Sequence, residues 1–237
     1  MPSTPTLPEW DRVLSAAAHL QRILPDAVLV GGTAAAIYAG HRLSTDADHV
    51  LTDLRMRFDV VLAELESVSG LTTARVARPV LVLGSLDGIE TGVRQLIRTT
   101  PLETQRLEVV GGHVTVPTAA EILRIKGVLI LRRNTTRDYL DFVALSDHLG
   151  TAAFVESLRP FDGMYPQPNG ESALHQLQIQ LASPLPYDLD DNNLAEYKNL
   201  AVRWHDWNAV KSVAAFCATT IFDHITGVDE TSPLPHS

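Results

Sequence analysis

Two aspartates separated by a single residue are the first candidates for chemistry in this sequence. Asp46 and Asp48 stand just before the apolar pair Val50-Leu51. Because side chains alternate along an extended segment, both carboxylates project from one face while Ala47 points away. Mg²⁺ takes oxygen ligands and commonly binds one or two carboxylates together with substrate phosphates. The pair therefore predicts a Mg²⁺ or Mn²⁺ site for phosphoryl or nucleotidyl transfer, with loop and cap roles as the alternative.

A pair of glycines upstream of these aspartates is the second candidate. Gly31 and Gly32 separate a short apolar run, residues 27–30, from a small-residue helix predicted to begin at Thr33. Glycine lets backbone N–H groups approach a phosphate closely, and a helix N-terminus favours anions. These three residues are therefore predicted to bind nucleotide. A plain tight turn is the alternative, and the aspartates downstream favour the nucleotide site.

Lys126 is the only lysine in the first 150 residues. On a helix it lies in line with Ile122 and Leu129, in a stripe that is otherwise apolar. A charge in such a stripe needs a partner, or else the side chain extends to solvent at the edge of the stripe. The position therefore predicts either a functional ion pair or a snorkelling lysine.

Asp141 lies in a segment, residues 139–145, where apolar side chains occupy nearly every helical direction. A buried carboxylate without a cation or hydrogen-bond donors is costly, so we expect Asp141 to contact Lys126 or a metal-bound group. Asp138 follows Thr135 at a spacing close to that of a capping box, which favours a helix cap.

A third carboxylate is predicted on a neighbouring strand. In residues 88–95 the alternation places Glu90 and Arg94 on one face of an extended segment. Glu90 is the candidate for a third metal ligand and Arg94 for a phosphate contact. A surface ion pair between them is the alternative.

The elements that must position these residues follow from hydrophobic periodicity. Helices are predicted for residues 8–24, 33–38 and 57–68, strands for residues 27–30, 79–83 and 89–96, and a hairpin around Gly111-Gly112. From Thr118 the pattern is helical to Gly227, with breaks at Gly150, 160–170 and 184–191. The fold class is therefore α+β, with a mixed sheet flanked by helices in an N-terminal domain, residues 1–117. A helical domain, residues 118–228, and a disordered tail, residues 229–237, follow.

Charge limits the classes of partner. The 237 residues carry a formal net charge of −9, which argues against sequence-independent coating of nucleic acid. Acidic residues are concentrated in residues 151–237, whereas residues 91–137 hold eight basic side chains against three acidic ones. A local polyanion site in that stretch is one interpretation, and a solvated basic face is the other.

The single cysteine, Cys217, excludes an internal disulfide and Cys-rich zinc sites. The first residues lack the basic and apolar regions of a signal peptide, and the uncharged stretch 27–40 is shorter than the roughly 20 residues needed to span a bilayer. The cytoplasm is therefore the expected compartment, and no membrane segment is expected.

Taken in chain order, these motifs resemble a known family. Gly31-Gly32 followed by Ser44-x-Asp46-x-Asp48 resembles the DNA polymerase β-like nucleotidyltransferase superfamily. The motif His41-Arg42-x-Ser44-x-Asp46-x-Asp48 is similar to that of its AbiEii-type toxin branch. That branch also has a lysine on a later helix and an Arg-Asp-x-x-Asp motif on the next, which resemble Lys126 and Arg137-Asp138-x-x-Asp141.

The resemblance implies roles for these residues. Gly31-Gly32 and Ser44 would hold the triphosphate of an NTP, Asp46 and Asp48 would hold Mg²⁺, Lys126 would contact phosphate and Asp141 would complete the site. For Ser44, a simple turn hydroxyl is an equal alternative. The implied activity is transfer of an NMP to RNA, such as the tRNA 3′ end, by the toxin of a toxin–antitoxin pair, with an antitoxin protein as partner.

Two other functions are compatible with the same residues. The acceptor could be a protein hydroxyl or a small molecule such as an aminoglycoside, which the overall acidity favours over long RNA. Alternatively, the chain could be a non-catalytic regulatory module that keeps the fold and binds nucleotide.

Overall fold

The computed structural model describes residues 9–227. Helix α4, Ala119–Arg133, contains the point at which the chain divides into two compact units, residues 1–122 and 123–237. The domain boundary predicted near Pro117 lies five residues before that division and stays a prediction. Pro8, predicted to begin the first helix, and the predicted tail, residues 229–237, lie outside the described residues.

In its described residues, the first unit contains a five-stranded sheet, a two-stranded sheet, three helices and the first turn of α4. Its helices are α1 (Glu9–Ile23), α2 (Gly31–Ala39) and α3 (Leu54–Glu66). Its strands are β1 (Val28–Leu29), β2 (Asp46–Leu51), β3 (Leu71–Ala77), β4 (Leu81–Leu86), β5 (Ile89–Gln95), β6 (Thr104–Val109) and β7 (Gly112–Pro117).

The five-stranded sheet is mixed, with the strand order β1-β2-β5-β4-β3. Strands β2 and β5 are parallel, and the other neighbours are antiparallel. A parallel pair needs a long crossover, which here contains α3, β3 and β4. The predicted α+β class, with a mixed sheet flanked by helices, is confirmed.

Helices of the first unit cover one face of the sheet. Alternate residues of β2 and β5, among them Ala47 and Val93, are buried against α1 and α3 in two apolar clusters. The intervening residues of β2, β4 and β5 remain exposed or half-buried, apart from Gly92. We call this second surface the open face of the sheet, and it carries Asp46 and Asp48.

The hairpin predicted around Gly111-Gly112 forms as β6 and β7, but as a separate two-stranded sheet. Gln21 of α1 is buried and accepts from the Thr115 backbone N–H at 2.6 Å while donating to the Thr115 carbonyl at 2.9 Å. The Gln21 amide thus forms the two backbone hydrogen bonds at Thr115, on the edge of β7, that another strand would otherwise form.

Strand β3 is absent from the sequence prediction, which begins the next strand at Pro79. The structure places β3 at Leu71–Ala77 and begins β4 at Leu81. Because β3 is an edge strand whose residues Thr72, Ala74 and Arg75 are exposed, its sequence lacks the apolar alternation that marks a half-buried strand.

The second unit is helical. It contains most of α4, then α5 (Thr136–Leu158), α6 (Phe161–Met164), α7 (Ala173–Ala182) and α8 (Trp207–Thr226), with short 3₁₀ helices at Leu194–Glu196 and Val202–Trp204. The predicted break at Gly150 is a left-handed residue, φ 73°, at a kink inside α5. Edge-to-face ring pairs, Phe142 with Phe154 and Tyr139 with Trp207, pack its core.

Cys217 of α8 is expected to resist alkylation in the folded protein. The thiol is 2% exposed and donates to Ser146 Oγ at 3.3 Å, and burial raises its pKa to about 11. Since the thiolate is the nucleophile, iodoacetamide at pH 8 should react about 100-fold more slowly with native protein than with urea-unfolded protein. Mass spectrometry of quenched samples measures both rates, and equal rates would contradict the buried placement.

No helix among residues 9–227 is both long and apolar enough to cross a bilayer.

Candidate active site

The N-terminus of α2 is built by the two glycines. Gly31 has φ 76°, a left-handed value that favours glycine. A Cβ on Gly32 would overlap the Arg42 guanidinium and lie 3.0 Å from Ser44 Oγ. Glycine is therefore required at position 31 by the backbone conformation and at position 32 by the space that Arg42 occupies. The predicted turn is the first turn of the helix itself, which begins at Gly31 and not at Thr33.

Hydrogen bonds fix this helix end against β2. The Val30 N–H donates to the Asp48 carbonyl at 2.8 Å, and Thr33 Oγ1 donates to the Asp46 carbonyl at 2.5 Å. Val30, the N-cap residue, supplies no side-chain cap, so the first-turn N–H groups are not capped by it. The positive end of α2 is thus held beside the backbone of the two aspartates.

The two predicted carboxylates share the open face. Asp46 and Asp48 are both half-buried, and Ala47 between them is buried on the covered face. Ser44 Oγ donates to Asp46 Oδ1 at 2.8 Å. The Ser44 hydroxyl, predicted to bind the triphosphate, thus orients the Asp46 carboxylate in this structure. Arg94 Nε lies 3.7 Å from Asp48 Oδ1, with side chains 47% and 29% exposed.

Glu90 is brought to the same face by the parallel pairing of β2 and β5. The register pairs Asp46 with Glu90 and Val50 with Arg94, and the Glu90 side chain is exposed. Within residues 9–227, no group of three or more His, Cys, Asp or Glu side chains is arranged to hold a metal ion. The role of Glu90 as a third ligand therefore stays a prediction. The pair Asp46 and Asp48 fits Mg²⁺, because that ion often uses two carboxylates and completes its shell with water and substrate oxygens.

Gly92 is a site residue that the sequence analysis missed. It pairs with Asp48 in the register, and a Cβ built on it would lie 2.5 Å from Asp48 Oδ1 and 2.9 Å from Leu83 Cδ2. Because Gly92 has no side chain, the Asp48 carboxylate can occupy the space beside its Cα. An isolated glycine inside a strand is the sequence signal that could have indicated this close approach.

Gly92→Ala is expected to displace the Asp48 carboxylate and to lower nucleotidyl transfer at least about tenfold, while overpacking lowers the free energy of unfolding by about 1–3 kcal/mol. Gly163→Ala in α6 is the matched control, because a Cβ there meets no atom within 4 Å. Transfer rates and urea unfolding curves measure both effects. Full activity of Gly92→Ala would show that the position of Asp48 is not critical.

Arg42 is a second residue that the site predictions omitted, although it stands inside the quoted motif. Its side chain is 6% exposed and donates from Nη1 to the Leu43 carbonyl at 3.2 Å. The guanidinium packs against Gly32 at the N-terminus of α2. A cation and the positive end of a helix dipole are thereby placed together, which makes an anion favourable at this point.

His49, next to Asp48, faces the opposite side of the sheet. It is fully buried, its Nδ1 lies 3.0 Å from the Ala47 carbonyl, and burial lowers its pKa to about 4. The imidazole is therefore neutral near pH 7 and packs beneath the carboxylates as part of the covered face.

Lys126 and Asp141 lie in the second unit, in a buried cluster with Asp138. Lys126 is 3% exposed, and its Nζ lies 2.7 Å from Asp141 Oδ2 and 3.2 Å from Asp138 Oδ1. The expected contact between Lys126 and Asp141 is confirmed, and the snorkelling alternative is wrong. Asp138 pairs with the lysine and accepts from Thr135 Oγ1 at 2.8 Å. The N-cap residue Thr135 makes no side-chain cap hydrogen bond, so the capping role predicted for Asp138 is wrong.

The basic stretch 91–137 does not form one solvated face. Within the first unit, Arg98 is paired with the buried Glu121 at 2.7 Å. Within the second, Arg124 is 2% exposed and donates to the Ser157 carbonyl at 3.0 Å, and Lys126 is buried as described. These three cations therefore have partners within the fold and do not belong to a solvated basic face.

Comparisons with known sequences give partial matches. No protein-family model matches the sequence. The chain is 30% identical over 212 residues to the heme uptake protein MmpL11 of Mycobacterium tuberculosis, an alignment that covers 76% of this chain and 20% of that protein. It is 36% identical over 97 residues to the mycolic acid-containing lipids exporter MmpL11 of Mycolicibacterium smegmatis, covering 40% and 10%. The chain thus spans a fifth or less of the length of these relatives.

Comparisons with solved structures concern nucleotidyltransferases. A crystal structure from H. pylori, described as a nucleotidyltransferase, superposes with a TM-score of 0.57 at 15% sequence identity, covering 93% of this chain and 96% of that chain. The solution structure of the antibiotic-resistance factor ANT(2'')-Ia gives a TM-score of 0.47 at 13% identity, covering 65% and 94%, and supports no inference at that score. The H. pylori likeness, at its low identity, establishes that this chain has a nucleotidyltransferase fold.

Proposed function

We propose that the chain is a Mg²⁺-dependent nucleotidyltransferase that moves an NMP from an NTP to an RNA hydroxyl, such as the tRNA 3′ end. The observation that carries the proposal is a pair of adjacent, opposite electrostatic features. The α2 N-terminus and Arg42 favour an anion, and Asp46 and Asp48 beside them favour a cation. A metal–triphosphate complex presents both charges together.

The residues of the first unit have distinct tasks in this reaction. The α2 N-terminus, with Arg42, binds and orients the triphosphate, and Ser44 orients the Asp46 carboxylate. Asp46 and Asp48, with Glu90 as third ligand, would hold Mg²⁺, which neutralises charge on the phosphoryl oxygens when bound. The acceptor hydroxyl oxygen forms a bond to the α-phosphorus, pyrophosphate leaves, and a carboxylate of this group accepts the hydroxyl proton. Catalysis is mainly positioning and charge neutralisation.

For the second unit, the AbiEii-type resemblance assigns a phosphate contact to Lys126 and completion of the site to Asp141. The same resemblance extends the proposal to a toxin restrained by a cognate antitoxin protein. Expression in a host cell should then arrest growth, and an Asp48→Ala variant should not.

The test is a labelling experiment. Purified protein is incubated with Mg²⁺, each of four α-labelled NTPs and total tRNA, with EDTA and an Asp46→Ala variant as controls. Label on tRNA that disappears in both controls supports the proposal and identifies the base.

A second acceptor class is favoured by one observation, the net charge of −9, which opposes binding of long RNA. Parallel reactions therefore contain cellular protein or a small-molecule pool that includes aminoglycosides. Label confined to one of those pools would replace RNA as the acceptor. Absence of label in every pool, together with no NTP binding by calorimetry, would favour a non-catalytic module.

A further inference from the structure

The open face continues well beyond the candidate metal ligands. One cross-strand row runs from Asp48 on β2 to Gly92 on β5, Leu83 on β4 and Arg75 on β3. Neighbouring strands lie about 4.8 Å apart, so this row extends about 14 Å from the backbone of Asp48. The row therefore links the candidate active site to the exposed edge of the sheet.

Reaction geometry assigns the two ends of this row to different substrates. The α2 N-terminus directly follows β1 and is hydrogen-bonded to the β2 backbone, so it lies at the β1–β2 end of the sheet, where the proposed triphosphate and its pyrophosphate leaving group bind. In phosphoryl transfer the attacking and leaving oxygens are roughly in line. The acceptor must then approach from the other side of the carboxylates, over β5, β4 and β3.

The side chains on that far side suit a single-stranded nucleic acid. Leu81 and Leu83 are half-buried and offer an apolar surface, and the β4 and β3 positions of the open face carry no acidic residue. Arg75 is exposed at the end of the row, and within residues 9–227 it has no ion pair or side-chain hydrogen bond. Apolar contacts can lie against bases, and a guanidinium binds phosphate oxygens in a bidentate manner.

Arg78, the next arginine along the chain, differs from Arg75 in having partners within the fold. Arg78 pairs with Asp59, and its guanidinium lies 5.2 Å from the centre of the Phe58 ring, which belongs to the covered face. Arg75 has the same charge on the opposite side of the sheet without such partners. Its side chain can therefore contact a ligand without breaking an internal interaction.

We propose that Arg75 binds a backbone phosphate of the RNA acceptor, whose 3′ end lies along Leu81 and Leu83 toward Gly92. This inference rests on the proposed function and adds the path of the acceptor to it. Arg75 is a binding residue and not a catalytic one, so its loss should weaken RNA binding and leave NTP binding unchanged.

The experiment compares Arg75→Gln and Arg75→Lys with Arg12→Gln. Arg12 is an exposed arginine of α1, the helix that packs on the covered face, so Arg12→Gln makes the same charge change away from the row. The probe is a short single-stranded RNA with a free 3′ hydroxyl and a 5′ fluorophore, titrated by anisotropy at several salt concentrations. Calorimetry with an NTP and Mg²⁺, and the rate of label transfer at saturating RNA, are measured on the same proteins.

Arg75→Gln should weaken RNA binding about tenfold and reduce the slope of log affinity against log salt by about 0.7, with NTP binding and the saturated rate unchanged. Arg75→Lys should recover part of the affinity, and Arg12→Gln should match the original protein. If the original protein binds and labels RNA but Arg75→Gln does so equally well, the inference is wrong while the proposed function stands. If the original protein labels only protein or small molecules, the RNA acceptor and this path are both wrong.

Discussion

Asp46→Asn and Asp48→Asn should each lower NMP transfer by about 10²–10³-fold, with the fold retained. Each substitution keeps side-chain shape but removes a negative charge from the candidate metal site, where several kcal/mol of transition-state stabilisation depend on the bound cation. The backbone carbonyls of both residues accept the bonds that hold α2, and these bonds do not depend on the carboxylates. Single-turnover label transfer at saturating NTP and Mg²⁺ measures the loss.

Asp59→Asn is the matched control for these variants. Asp59 is on α3, its side chain is 81% exposed, and its ion pair with Arg78 contributes little because both groups are solvated. Its transfer rate should equal that of the original protein. Transfer by either site variant at the control rate would falsify the metal assignment and leave the open face without a catalytic role.

Lys126→Met should lower the free energy of unfolding by about 3–5 kcal/mol, the second large effect. The substitution leaves the carboxylates of Asp138 and Asp141, both 0% exposed, without the ammonium group that pairs with them. Removing one partner of a buried ion pair is strongly destabilising because the remaining charge stays desolvated. Urea unfolding followed by circular dichroism measures the change.

Two further variants separate the buried charge from general effects of losing a lysine. Lys211→Met removes an exposed lysine from α8 and should change stability by less than about 0.5 kcal/mol. The triple variant Lys126→Met, Asp138→Asn, Asp141→Asn should be more stable than Lys126→Met alone, because it no longer buries the two negative charges that the Lys126 ammonium group balanced. If Lys126→Met alone is as stable as the original protein, the cluster of Lys126, Asp138 and Asp141 is not buried in solution.

Local sequence determined those features that depend on periodicity and burial within one segment. The alternation of an extended strand is enough to place Asp46 and Asp48 on one face. The apolar surroundings of Asp141 and Lys126 are enough to predict that two buried opposite charges meet. The same reasoning gave the α+β class, since apolar period 2 and period 3.6 separate strands from helices.

Segments whose form depends on distant partners were not determined in this way. Strand β3 has no clear alternation because it is an edge strand, and its identity comes from pairing with β4. Asp138 looked like a cap because its local spacing resembles a capping box, whereas the partner that takes its charge lies 12 residues away on another helix. Local patterns contain no information about such partners.

The finer geometry of the candidate site depends on the tertiary structure. The parallel register of β2 and β5 joins residues 44 positions apart, and it places Glu90 beside Asp46 and Gly92 beneath Asp48. The same pairing, extended through β4, brings Arg75 into line with Asp48. Arg42 fills the space that Gly32 leaves, a contact that neither residue type predicts alone. The sequence by itself determined which side chains can do chemistry, and strand register, which depends on the packing of the whole sheet, decided which of them lie together.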